Sequence, residues 1–140
     1  MPGFVFTDAR VEIDGTVLSA QVRAVTLTYS VELLDASAMG LGATATRQRV
    51  AGLLDWTLSV DFNQNFAVSN VDEILYGILI AKVSVQVKVR PTSAVIGTAN
   101  PEYNGFAFLE SYPPFSGGVA EIAVVSATFQ GDGVLNRATS

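Results

Sequence analysis

Val25-Thr26-Leu27-Thr28-Tyr29-Ser30-Val31-Glu32-Leu33 alternates apolar and polar residues without interruption, and Asp55-Trp56-Thr57-Leu58-Ser59-Val60-Asp61-Phe62 does the same. Successive side chains of a strand point to opposite faces, so strict period two over such lengths marks a half-buried strand. One face of the pair is apolar: Val25, Leu27, Tyr29, Val31 and Leu33 on the first arm, Trp56, Leu58, Val60 and Phe62 on the second. The other face holds Thr26, Thr28, Ser30 and Glu32, then Asp55, Thr57, Ser59 and Asp61. On these two arms the polar face carries three carboxylates and no Lys or Arg.

Between the arms, Asp35 to Val50 shows no sustained period and is rich in Ala, Gly and Thr. A structureless connection of this length is uncommon in a compact domain, and it is usually functional or disordered. One reading is a solvated surface loop. The other is a segment that orders against a partner subunit, with Arg47 and Arg49 meeting acidic groups there.

Outward from this hairpin the pattern stays β-rich. Arg10-Val11-Glu12-Ile13 alternates and is followed by Asp14-Gly15, a pair suited to the two positive-φ positions of a tight hairpin turn. Val22 to Ala24 is out of phase with Val25 onward, which predicts a bulge. Val71, Ile74, Leu75, Ile78 and Leu79 form a helical stripe, so a helix is predicted over about 70–81, capped at Asn70 with Glu73 three residues on. Lys82 to Arg90 alternates with a cationic polar face, expected on the outside of an assembly or at a subunit interface. Thr92 to Gly105 reads as loop, Phe106 to Tyr112 and Val119 to Phe129 as strands, and Gly131-Asp132-Gly133 as a turn. The sum is a single mainly β domain over residues 1–140: an antiparallel sandwich or barrel of about 7–8 strands, one flanking helix, and a long hairpin loop at about 36–50.

Composition narrows the function. A net charge of −5 argues against general nucleic-acid binding, which needs Lys and Arg to neutralise phosphates. With no Cys and no His, thiol chemistry, the commonest general base and the commonest transition-metal ligand are all missing. The acidic pairs Asp55 with Asp61 and Glu102 with Glu110 fix no two-carboxylate spacing. Gly117-Gly118 and Gly131-x-Gly133 lack the strand–helix context of a phosphate loop, and Asp132 lacks the ligand run of a calcium loop. Neither enzyme activity, cofactor nor metal is expected. The N-terminus lacks the basic region and apolar run of a signal peptide, and Ile74 to Ala81 is far short of the ~20 residues that span a bilayer. Synthesis in the cytosol without membrane insertion is therefore expected.

The order of several segments then carries a resemblance. Arg49-Val50-Ala51-Gly52-Leu53-Leu54-Asp55 leads into the second arm, and Asn63 to Phe66 precedes the helix. Val89-Arg90-Pro91-Thr92, Asn100-Pro101-Glu102-Tyr103-Asn104-Gly105 and Glu110-Ser111-Tyr112 follow, and Ser126 to Arg137 closes the series. In this order the chain resembles the major tail tube proteins of long, non-contractile-tailed bacteriophages over most of its length. The resemblance implies a β-sandwich flanked by one helix that forms hexameric rings stacking into a hollow tube. Inner sheets of neighbouring subunits would join around the lumen, and double-stranded DNA would pass through without specific binding. It also implies location in the virion tail, with the tape measure protein and the tail terminator as partners besides further copies of the chain. Some members carry an extra immunoglobulin-like domain, for which 140 residues leave no room.

The residues accord with these expectations. A face bearing Glu32, Asp55 and Asp61 suits a DNA conduit because like charge keeps phosphates from adhering. Thr28, Ser30, Thr57 and Ser59 would share that lumen-facing surface. The loop would make the contact between rings through Ser37, Met39, Leu41, Thr44, Arg47 and Arg49. Other readings are a tail terminator or the tube of a type VI secretion system. More remote is a carbohydrate-binding β-sandwich using Tyr103, Tyr112 or Phe115.

Overall fold

The computed structural model describes residues 9–36 and 47–140. Its elements are β1 (Arg10–Ile13), β2 (Thr16–Val17), β3 (Val22–Asp35), β4 (Arg49–Asn63), α1 (Val71–Ala81), β5 (Val85–Arg90), β6 (Glu102–Ser111) and β7 (Val124–Ala138). The strands form one antiparallel sheet in the order β2-β1-β5-β6-β7-β4-β3. The expected mainly β fold with one helix is the observed one, with seven strands where about 7–8 were expected, and a single sheet connects all of the described strands.

One face of this sheet makes the core. Val11 and Ile13 of β1, Trp56, Leu58, Val60 and Phe62 of β4, and Val87 of β5 are buried. So are Ala107 of β6 and Val125, Ala127 and Phe129 of β7. Helix α1 lies over β6 and closes the core with Val71, Leu75 and Ile78. Each large side chain contributes ~1.5–3 kcal/mol of burial before entropy is subtracted. The sheet bends at register shifts in β3 between Val22 and Ala24 and in β7 between Asp132 and Asn136, since bulges sharpen twist. The first of these is the bulge expected from the phase break. The bending brings Val25, Leu27 and Tyr29 of β3 and Val89, Pro91 and Tyr103 of β5–β6 to the walls of one cavity of about 490 Å³.

The predicted Asp14-Gly15 turn is present, with φ of 51° and 79°. Two other glycine sites, one expected in a loop and one as a turn, lie within strands. Asn104-Gly105 lies inside β6 and Gly131 to Gly133 inside β7, strands that pair with each other across a bulge. The reason is Trp56. Its indole lies flat against both strands, where a Cβ on Gly131 would stand 2.4 Å from Cε2 and one on Gly105 2.8 Å from Cζ2. The ring N–H donates to the Gly133 carbonyl at 3.2 Å. These glycines make room for a side chain 1% exposed, and the sequence offers no way to tell that use from a turn.

Helix α1 starts where predicted. Asn70 caps it by accepting from the Val71 N–H at 3.1 Å, whereas Glu73 reaches the Ser69 N–H at 3.2 Å rather than the cap residue's own. At the far end Lys82 stops the helix in the left-handed region, φ 57°. The first turn is tied to the sheet by Tyr112, whose hydroxyl donates to Asp72 Oδ1 at 2.7 Å and accepts from Gln64 Nε2 at 2.8 Å.

Burial pushes the Tyr112 phenol up to about 12; the Asp72 carboxylate adds to this and the Gln64 hydrogen bond opposes it. A phenol whose folded value exceeds its unfolded value of 10.0 stabilises fully below pH 10, and that contribution fades as pH rises towards 12. Tyr112→Phe is expected to cost about 1 kcal/mol near neutral pH. It should also flatten the loss of stability across the alkaline window, read as urea midpoints against pH in both proteins.

Candidate functional site

The polar faces of the two hairpin arms form one surface. The register sets Thr28 against Thr57, Ser30 against Asp55, Thr26 against Ser59 and Ala24 against Asp61, so the expected residues share one side of β3–β4. Glu32 continues the row over Gly52, where a Cβ would lie 3.3 Å from its carboxylate. Ser30 Oγ donates to the Asp55 carbonyl at 3.4 Å.

The surface is wider than the two arms. On β7, Ser126, Thr128 and Gln130 stand opposite Asp61, Ser59 and Thr57. Asp61 accepts a 2.6 Å hydrogen bond from Ser126 Oγ. On β6, Phe108 stands opposite Gln130 and Phe106 opposite Asp132, while Gln130 Nε2 donates to Glu110 at 2.5 Å. Four strands thus present Glu32, Asp55, Asp61, Glu110 and Asp132 on one face, together with the exposed rings of Phe106 and Phe108. The cation of β3, Arg23, sits in the bulge beside Ala24, opposite Asp61.

Sequence reading missed the β6–β7 share. Ser126-Ala127-Thr128-Phe129-Gln130 alternates and carried that signal. In β6, however, it is the small Ala107 that faces the core and two phenylalanines that face out, so hydrophobicity points the wrong way there.

In the cationic row of β5, Arg90 is balanced inside the subunit. Lys88 stands opposite Glu12 of β1. Arg90 Nε donates to the buried Glu102 at 2.7 Å, and Arg90 Nη1 to the Ala94 carbonyl at 3.0 Å. Glu102 and Glu110 are not a catalytic pair: the first is buried in this ion pair and the second is exposed. Among the described residues no group of three acidic side chains is placed to hold a metal ion.

The long connection differs from expectation in extent. Pairing runs out to Asp35 opposite Arg49, so Arg49 opens β4 rather than lying in a loop. A bulge at Gly52-Leu53 absorbs the break in alternation that hid this part of the strand, and backbone pairing continues although neither face is covered. Ser37, Met39, Leu41 and Thr44 lie outside the described residues. Arg47 is ion-paired with Asp35 across the base of the connection.

β4 joins β7 only from Thr57 onward, so Arg49 to Trp56 pairs with β3 alone, as a projecting ribbon. Tyr29, Val31 and Leu33, expected in the core, are exposed there, with Leu34, Val50, Leu53 and Leu54. The ribbon carries exposed apolar residues on both of its sides, on one of them beside Ser30, Glu32 and Asp55. Contiguous exposed apolar surface of this kind marks a protein contact.

No protein-family model matches the chain, and no curated protein matches it in sequence. Solved structures match it in fold. The SPP1 tail tube superposes with a TM-score of 0.75 at 14% identity, covering 99% of this chain and 80% of that one. The tail of an empty gene transfer agent particle, of C6 symmetry, gives 0.71 at 15% identity, covering 91% and 92%. The sheath/tube terminator of an extracellular contractile injection system, PVC, gives 0.66 at 13% identity, covering 99% and 98%. The chain has the fold of these tail and tube subunits.

Proposed function

We propose that this chain is a structural subunit of a phage-type tail tube, assembling as stacked rings around a channel that conducts DNA. The observation that carries the reading is the four-strand face with five carboxylates, on a fold shared with the SPP1 tail tube over nearly the whole chain. Turned to the lumen, Glu32, Asp55, Asp61, Glu110 and Asp132 repel phosphates, and the hydroxyls of Thr28, Ser30, Thr57 and Ser59 keep the wall wetted. Six subunits per ring follow the symmetry of the gene transfer agent tail. The ribbon and the connection beyond it make the contact between rings, with Arg49 where the two join. A tape measure protein inside the growing tube and a terminator at its end complete the partner set, and the assembled form is a virion part. No helix among the described residues is long and apolar enough to cross a membrane.

The likeness to the PVC terminator supports a second reading, a cap that makes single rings. Negative-stain images of concentrated protein separate the two. Long hollow tubes support the subunit reading, isolated rings support the cap, and a strict monomer defeats both.

The lumen assignment has its own test. Glu32→Lys with Asp61→Lys is expected to lower DNA delivery at least ~tenfold, more than it impairs tube assembly, because reversed charges repeated around every ring hold phosphates. The loss should shrink as salt is raised. Unchanged delivery by fully assembled variant tails removes these residues from the channel wall.

A further inference from the structure

A second exposed apolar surface lies at the opposite end of the sheet from the ribbon. There the β4–α1 and β6–β7 connections meet, and Phe66 stacks on Phe115 with ring centroids 5.6 Å apart. Phe115 is 84% exposed, and Val119 and Ile122 of the same connection are also exposed. Phe66, Pro114, Phe115 and Ala123 help to line a cavity of about 240 Å³. A void of about 150 Å³ already admits a benzene-sized guest, so this one admits a leucine side chain.

We propose that this aromatic socket is the seat of the ribbon of a second copy of the chain. The inference rests on the tube reading and names the acceptor surface it leaves open. Two observations favour this occupant. The ribbon and the socket lie at opposite ends of β4, as Asn63 pairs with Val124 at one end and Arg49 with Asp35 at the other. Identical subunits stacked in one direction therefore bring a ribbon to a socket at every junction, a heterologous contact that propagates. The charges also match. Residues 63–73 and 112–123 hold Asp72, Glu73 and Glu121 with no Lys or Arg, whereas the outer end of the ribbon holds Arg47 and Arg49 against Asp35 alone. Leu53, 78% exposed, enters the cavity beside the stacked Phe66 and Phe115, and Arg49 meets Glu121 on its rim. Leu53 and Phe115 cannot meet within one subunit, because the intervening length of β4 spans roughly 30 Å at about 3.3 Å per residue.

The chain has no cysteine, so cross-linking is clean. Leu53→Cys with Phe115→Cys, assembled and oxidised with copper–phenanthroline, is expected to give a ladder of disulfide-linked multimers. Mixing the two single variants should give dimers only. Leu53→Cys with Val119→Cys repeats the test at a fully exposed position where folding is not at stake. Phe115→Asp should raise the concentration needed for assembly at least ~tenfold, the scale of a buried aromatic anchor. Tubes that form normally yet give no cross-link from either pair overturn the socket while leaving the tube reading intact. So does a cross-link from Leu53→Cys to Val95→Cys in their place. A wild-type chain that never assembles overturns both.

Discussion

Gly131→Ala is expected to cost about 3 kcal/mol, at the upper end for overpacking, and to lower the melting temperature by roughly 10 °C. The new Cβ would stand 2.4 Å from both Cε2 and Nε1 of Trp56 and 2.6 Å from Cδ1. Relief by a side-chain rotation is blocked, because the indole is enclosed on all sides and its N–H is held by the Gly133 carbonyl. Gly97→Ala is the control: nothing lies within 4 Å of a Cβ there, and its effect should stay within about 0.5 kcal/mol. Trp56→Phe combined with Gly131→Ala should lose less than the sum of the two single changes, since the smaller ring vacates the space the methyl needs. Equal urea midpoints for Gly131→Ala and Gly97→Ala would disprove the seat.

Arg90→Met is expected to cost about 3 kcal/mol, because it leaves the Glu102 carboxylate buried without its partner and releases the Ala94 carbonyl. Glu102→Gln in the same chain should restore about half, as a neutral amide is cheaper to bury than an unpaired charge. A double-mutant cycle from urea denaturation measures the coupling. Additivity of the two changes would mean that solvent, not the partner, balances each charge. The pair fastens β5 to β6 at the root of the 92–100 segment, so the same variants should loosen that segment first in hydrogen exchange.

Much of this was legible in the sequence, and the exceptions have a common cause. Alternation located the inner parts of β3 and β4 because Trp56, Leu58, Val60 and Phe62 really do face a core. The helix was legible for the same reason, with its stripe of Val71, Leu75 and Ile78. The outer ribbon was hidden because its apolar residues point to both sides, and exposed apolar residues obey no inside–outside rule. The seat of Trp56 was hidden because Gly105 and Gly131 are chosen for space and not for backbone freedom. The acidic rows of β3 and β4 could be read at once. Their continuation through β7 and β6 depends on strand order, which local pattern does not specify.

If the ribbon of one copy seats in the hollow of the next, the unlike chemistry of the two ends of β4, a largely aliphatic ribbon ending at Arg49 and an aromatic hollow beside Glu121, gives the stack a direction. Its first ring shows only one kind of surface and its last ring only the other. Growth at the two ends therefore proceeds by different encounters, at different rates. A stopper built to fit one end has no purchase on the other. Length can then be controlled from a single end, by a cap that copies only half of what a subunit presents.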